Sequence, residues 1–162
     1  MSSSTSLPSE NLSPKSSALL KVISFLDPDR IQELILKMSI HRNHMEDYPK
    51  TVAEYEIARS ELINSPKIWE TALAGEILTE KQIQDDVRNK LSPEELFAVL
   101  NTVTAFLSAV WPFNSFEDRK QWETCEKYMP HCARVRDLWL KAPKHGNDTT
   151  FATAILFNDI GW

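Results

Sequence analysis

Residues 65–78 read Ser65-Pro66-Lys67-Ile68-Trp69-Glu70-Thr71-Ala72-Leu73-Ala74-Gly75-Glu76-Ile77-Leu78. Ile68 and Trp69 favour a pleated strand, and Ala74-Gly75 suits a tight turn. The stretch therefore predicts a β-hairpin with Glu76-Ile77-Leu78 as its return strand. The competing reading is a helix running from Pro66 to Ala74. Nowhere else in the chain is a hairpin expected. With it, the fold is mainly α with one β element; without it, the fold is all helical.

Outward from this point the chain reads as helix. Ser13-Pro14 is an N-cap followed by proline at the first helical position, ahead of Leu19, Leu20, Ile23 and Leu26 at helical spacing. Asp27-Pro28 repeats the device and predicts a helix from Arg30 to Met38, with Ile31, Leu34, Ile35 and Met38 on one face. Ser39 to Lys50 is polar and reads as a loop. Thr51-Val52-Ala53-Glu54 is a capping box opening a half-exposed helix with Val52, Tyr55, Arg59 and Leu62. Beyond the hairpin, Thr79 to Gln82 is a second capping box, starting a helix through Ile83, Val87 and Leu91. Ser92-Pro93-Glu94-Glu95 combines N-cap, proline and capping box, and predicts a long helix that stops by Pro112. Phe116 to Tyr128 carries Trp122 and Cys125, with Met129 following at helical spacing. Pro130 then opens a further turn or helix with Val135, Leu138 and Trp139. Pro143 to Asp148 is a loop, after which Thr149 or Thr150 caps a final helix from Phe151 to Asp159.

Composition excludes several function classes. Three glycines in 162 residues is far below the usual ~7%. Neither GxGxxG nor GxxxxGK[ST] can be written with Gly75, Gly146 and Gly161, so a Gly-rich phosphate loop is excluded. Eighteen Lys and Arg against 23 Asp and Glu give a net charge of −5, without a basic stripe to track phosphates. Cys125 and Cys132 make no disulfide framework and read as reduced thiols, which places the chain in the cytoplasm. Residues 1–12 read as a Ser-rich disordered leader rather than a signal peptide. Leu96 to Phe116 is 21 uncharged residues, long enough to span a bilayer. Asn101, Thr104 and Ser108 nevertheless form a polar stripe along it, which predicts a core helix instead.

Candidate chemistry is sparse. His41 and His44 form H-x-x-H near Glu46 and Asp47, but a zinc site wants three or four ligands and no further set has a standard spacing. Cys125, His131 and Cys132 contain no CxxC pair, and cysteine on an apolar helix face packs as a small hydrophobe. Glu94-Glu95 and Asp85-Asp86 read as solvated helix faces. No nucleophile stands in a strained turn. We expect no catalytic residue, no metal site and no cofactor. Helices with a hairpin suggest a winged helix, whose candidate recognition helix is Glu80 to Leu91. Lys81, Arg88 and Lys90 there are offset by Glu80, Asp85 and Asp86, which argues against nucleic acid as partner.

The segments Asn11 to Leu20, Ile23 to Ile31, Ala58 to Ile63, Gln82 to Glu95 and Trp122 to His131 together resemble a region of fungal NLR-like STAND NTPases. It is the winged-helix-like linker between the NB-ARC or NACHT P-loop domain and the tetratricopeptide repeats. Ala154 to Trp162 is similar to the opening of the first repeat helix. The resemblance implies a winged-helix-like unit over residues 13–91, a helical extension over 92–142, and a loop with a truncated repeat helix over 143–162. It implies a non-enzymatic module that couples a nucleotide-binding domain to a repeat array by helix packing, with protein partners and no membrane. The alternatives are a free-standing adaptor or truncated remnant and, further off, a DNA binder. An adaptor would present Phe151, Ile155, Leu156, Ile160 and Trp162 as a partner-binding face, also open to self-association.

Overall fold

The computed structural model of the chain describes residues 11–38, 40, 45–113, 119–142 and 151–161. These form seven helices and three short strands: α1 (Pro14–Ile23), β1 (Ile31–Gln32), α2 (Glu33–Met38), α3 (Val52–Asn64), β2 (Trp69–Glu70), β3 (Glu76–Leu78), α4 (Lys81–Asn89), α5 (Pro93–Val110), α6 (Arg119–Lys141) and α7 (Phe151–Asp159). The fold is mainly α with a small antiparallel sheet, as expected.

The hairpin forms where the sequence places it. Trp69 pairs with Leu78 and Glu70 with Ile77. Gly75 turns the chain at φ +79°, a left-handed conformation that side chains disfavour. The sheet has a third member that helical periodicity hides. Ile31 pairs with Ile77 and Gln32 with Glu76, giving the order β1-β3-β2. The helix expected from Arg30 therefore starts only at Glu33. Asp27 does not cap a helix; its side chain accepts from the Asp29 amide in a turn. Leu34 and Met38, expected on the buried face, are exposed, and Leu36 is buried in their place. The sheet shifts the helix's rotational phase because Ile31 and Gln32 are extended.

Capping follows the local code in part. Ser13 accepts from the Ser16 amide, and both halves of the Ser92–Glu95 box are made. Thr51 accepts from the Glu54 amide, but the Glu54 carboxylate turns to the Lys50 amide instead of completing the box. Thr79 caps nothing: its hydroxyl donates to the Lys67 carbonyl across the hairpin, and Glu80 takes the N-cap position of α4.

Pro130 does not start a new helix. It lies inside α6, a single helix of 23 residues. Tyr128, His131, Cys132 and Val135 continue one buried face across it, so packing outweighs the hydrogen bond that proline removes. Trp122 and Met129, expected on an apolar stripe, are exposed. The start of this segment at Phe116, the loop from Pro143, and His41 and His44 lie outside the described residues.

One core runs from α1 to α7 without a break at Leu91 and Ser92. Helix α5 lies at its centre, packed against α1 and α2 and also against α6 and α7. Thr104, on the polar stripe, is fully buried. Its hydroxyl donates to the Leu100 carbonyl and accepts from the Trp139 indole at 3.2 Å. The Trp111 indole donates to Asp159 at 2.7 Å, pinning the end of α5 to α7. Among the described residues no helix is long and apolar enough to cross a membrane.

A charged network fixes α2 and α3 against the sheet. The Glu33 carboxylate is 6% exposed and accepts from Arg59 Nε at 2.5 Å and from the Tyr55 hydroxyl at 2.7 Å. Arg59 also reaches Glu70 on β2 at 2.9 Å. Burial works against the guanidinium charge, but the two carboxylates outweigh it and raise the Arg59 pKa.

Two stability predictions follow from these contacts. A Cβ at Gly75 would meet nothing within 4 Å, so Gly75→Ala should cost only the left-handed backbone penalty, about 1 kcal/mol. Gly75→Asn should cost less; equal losses in urea melts would refute the backbone account. Arg59→Leu should cost about 3–5 kcal/mol by leaving Glu33 charged and buried. Adding Glu33→Gln should recover most of that loss, and a double variant as unstable as the single would show that stranded charge is not the cause.

Candidate functional site

The residues that best qualify as a site converge on the end of α1. Ser24, Phe25 and Leu26 there have no exposed surface. A buried helix end must have its last carbonyls answered by donors. The Phe25 and Leu26 amides serve Val22 and Ile23, the Ser24 hydroxyl serves Lys21, and helix α4 supplies further donors. Gln84 Nε2 donates to the Ile23 carbonyl at 2.9 Å and to the Leu26 carbonyl at 2.8 Å. Arg88, one turn on, donates to the Ser24 carbonyl and pairs with Asp85. A cation at a helix C-terminus also complements the helix dipole.

Helix α6 reaches the same segment from another side. His131 is 1% exposed, and its Nδ1 accepts from the Asp27 amide at 3.0 Å. That bond requires an unprotonated Nδ1, so Nε2 carries the hydrogen and donates to Gln32 Oε1 at 2.8 Å. Burial pushes the His131 pKa down to about 4, against a smaller upward pull from Asp27. The imidazole is thus a neutral clamp between α6 and the turn before β1. Arg134 follows three residues later. Its Nε is buried and, among the described residues, makes no hydrogen bond; the Arg134 charge, after burial, helps lower the Arg88 pKa.

A family model described as a domain of unknown function (DUF7779) matches residues 7–96. The chain belongs to the DUF7779 family. No curated protein and no solved structure matches it. The DUF7779 match takes in α1 to α4, the sheet and the first residues of α5, so Gln84 and Arg88 fall inside it and His131 and Arg134 beyond it.

The other candidates from the sequence are placed as follows. Cys132 is buried, and burial pushes its thiol up to about 12, the inert end of the range for a thiol. Cys125 is half-buried, and the two are not joined in a disulfide. Among the described residues no group of three His, Cys, Asp or Glu side chains could hold a metal ion. Ile83, Val87 and Leu91, the expected apolar stripe of α4, are only half-buried. They line a groove of about 390 Å³ against Leu20 of α1. The fully buried side chain of α4 is Gln84.

On α7 the structure separates the proposed partner face. Leu156 is fully buried and Ile160 half-buried against the core, while Ile155 is 39% exposed. The side chain of Phe151, and Trp162, lie outside the described residues. The DUF7779 chain thus turns Leu156 and Ile160 inward.

Sequence reading missed Gln32, Gln84, Arg88 and Arg134 as a group. The one local signal was the i, i+4 spacing of Gln84 and Arg88, which puts both on one face of α4.

His131 gives a pH prediction with a definite sign. Its folded pKa lies below the ordinary 6.5, so the unfolded chain binds the proton first as pH falls. The His131 contribution is complete above pH 6.5 and is lost between about 6.5 and 4. The loss should reach about 3 kcal/mol in full. His131→Gln should be less stable at pH 7 and show a flatter pH dependence over this window in denaturant titrations. Parallel wild-type and variant curves would remove His131 from the acid response.

Proposed function

We propose that the DUF7779 chain is a non-enzymatic relay that couples a P-loop nucleotide-binding domain to a tetratricopeptide-type repeat array by helix packing. In this reading residues 13–91 are a winged-helix-like unit. The order helix, strand, helix, helix, hairpin with sheet order β1-β3-β2 supports that assignment. The observation that carries the function is the unbroken core through α5. A displacement imposed on α1 to α4 would be passed to α6 and α7 because no soft boundary absorbs it.

Charge favours a protein partner over a nucleic acid. Helix α3, which directly precedes the hairpin, carries Glu54, Glu56 and Glu61 against Arg59 alone. Arg59 is already held by Glu33 and Glu70. Phosphate contacts dominate nucleic-acid affinity, and this helix would repel them. The adaptor reading is weaker, because Leu156 would have to leave the core before it could dock elsewhere.

Binding of the full chain to purified P-loop NTPase domains from the same genome tests the proposal, with ADP and ATP compared by biolayer interferometry. The expected result is a complex whose affinity differs at least about fivefold between the two nucleotides. Absence of a complex, or equal affinity in both states, would overturn the relay. Salt-sensitive retention on duplex DNA would instead favour the nucleic-acid alternative.

A further inference from the structure

The start of α1, the turn before α3 and α3 itself line a surface cavity of about 450 Å³. Pro14, Ala58 and Ile57 give it an apolar lining, and Ile57 is 70% exposed. Carboxylates surround that apolar patch. Lys15 is the one cation among the lining residues, and it is already paired with Glu54 at 3.2 Å. Glu46 and Asp47 line the cavity from the turn before α3. Both are exposed, with no ion-pair or hydrogen-bond partner among the described residues. Their turn is pinned from behind. The Tyr48 amide donates to the Met45 carbonyl at 3.2 Å, and the buried Tyr48 hydroxyl donates to the Leu36 carbonyl at 2.8 Å. One turn of α3 beyond Ile57, Glu61 accepts from the Ser13 hydroxyl at 2.6 Å and the Ser13 amide at 2.8 Å. These serine donors, the Ser13 hydroxyl first, hold the Glu61 pKa below the usual carboxylate range.

We propose that this face is a docking surface for a basic segment of a protein partner, one that sets a lysine or arginine beside an aliphatic side chain. Charge complementarity selects that occupant: the cation pairs with Glu46 and Asp47 while the aliphatic group covers Ile57. A cavity of this size takes a few side chains. A second copy of the chain fits poorly, because its net charge is −5. Residues 1–10, which lead into α1, contain no lysine or arginine. A small cation would answer the carboxylates but leave Ile57 uncovered, and with it Val52, which is 57% exposed on the same helix. Exposed ion pairs contribute little each, so the affinity is modest and falls with salt. The proposal does not depend on the relay reading, because it defines the partner by chemistry and involves no nucleotide.

Amide NMR titration of the full chain tests it. The probe is a synthetic helical peptide of about 15 residues with leucine and arginine at i, i+4 on one face. Two control peptides replace the arginines by glutamates or the leucines by alanines, and spermidine serves as a free cation. The expected result is saturable shifts centred on Glu46, Asp47 and Ile57, with a Kd below about 1 mM that rises with salt. Glu46→Gln with Asp47→Asn, and Ile57→Ser alone, should each weaken binding at least about threefold. Both variants should melt as the wild type does, because these side chains are exposed. No saturable binding, binding unchanged in the variants, or equal binding by either control peptide overturns the surface. Spermidine shifting the same residues as tightly would reduce it to a cation site and overturn the docking. Sedimentation of the chain alone covers the second copy: a dimer that is lost in Ile57→Ser overturns the basic partner in favour of self-association.

Discussion

The end of α1 is buried, and its carbonyls cannot reach water. Each would cost about 1–3 kcal/mol if left unpaired. Gln84 and Arg88 reach three of them, at Ile23, Ser24 and Leu26, the Ile23 carbonyl also accepting from the Leu26 amide. This requirement fixes how α4 lies, because Gln84 must turn inward while its apolar neighbours Ile83 and Val87 take the flank. Helix α4 follows directly from β3, so the hairpin is held at its far end as well. The Thr79 amide bonds to the Pro28 carbonyl at 3.0 Å and ties that end to the turn after α1. His131 completes the arrangement by accepting from Asp27. One buried helix end thus organises three segments that are distant in sequence.

What could be read from the sequence is what depends on neighbours in sequence. Ser13 and Ser92 cap helices because the amides they serve are three residues away. The hairpin was legible because Ile68, Trp69 and Gly75 each favour the state they adopt. Strand β1 was not, since its two residues are extended only because Ile77 lies opposite Ile31, far along the chain. Pro130 misled for the reverse reason. It is strong local punctuation, but the seam of Tyr128, Cys132 and Val135 against the core overrides it. Thr104 reads from the sequence as part of a polar stripe. Its hydroxyl is satisfied by its own helix, which lets a polar residue sit fully buried.

The site residues were hidden by charge bookkeeping. Counted along the sequence, α4 and its flanks balance three basic against three acidic residues, and Arg88 enters as one solvated charge. In the fold Arg88 is turned inward, with its partners at Ser24 and Asp85. The charges left on the outer surface are Lys81 and Lys90 against Glu80 and Asp86. The surface a ligand meets is still balanced, while Arg88 and its partner Asp85 serve the end of α1 as a pair. A tally by element cannot see this, because it assigns every charge to solvent.

Polar bonds also govern how the parts could move. Helix α6 is attached by His131 to Gln32 and by Trp139 to Thr104, and α7 by Asp159 to Trp111. Each bond joins a buried or half-buried donor to a fixed acceptor, so sliding one helix past another would strand both groups at once. Local rearrangement of α6 or α7 is therefore expensive, and a gradual shear has no intermediate in which these bonds are kept. A chain built this way responds to force at α1 to α4 as one body. If it acts as a relay, what it passes on is a rotation of the whole unit. The step that switches must then lie at its contacts with partners, where packing can have two arrangements.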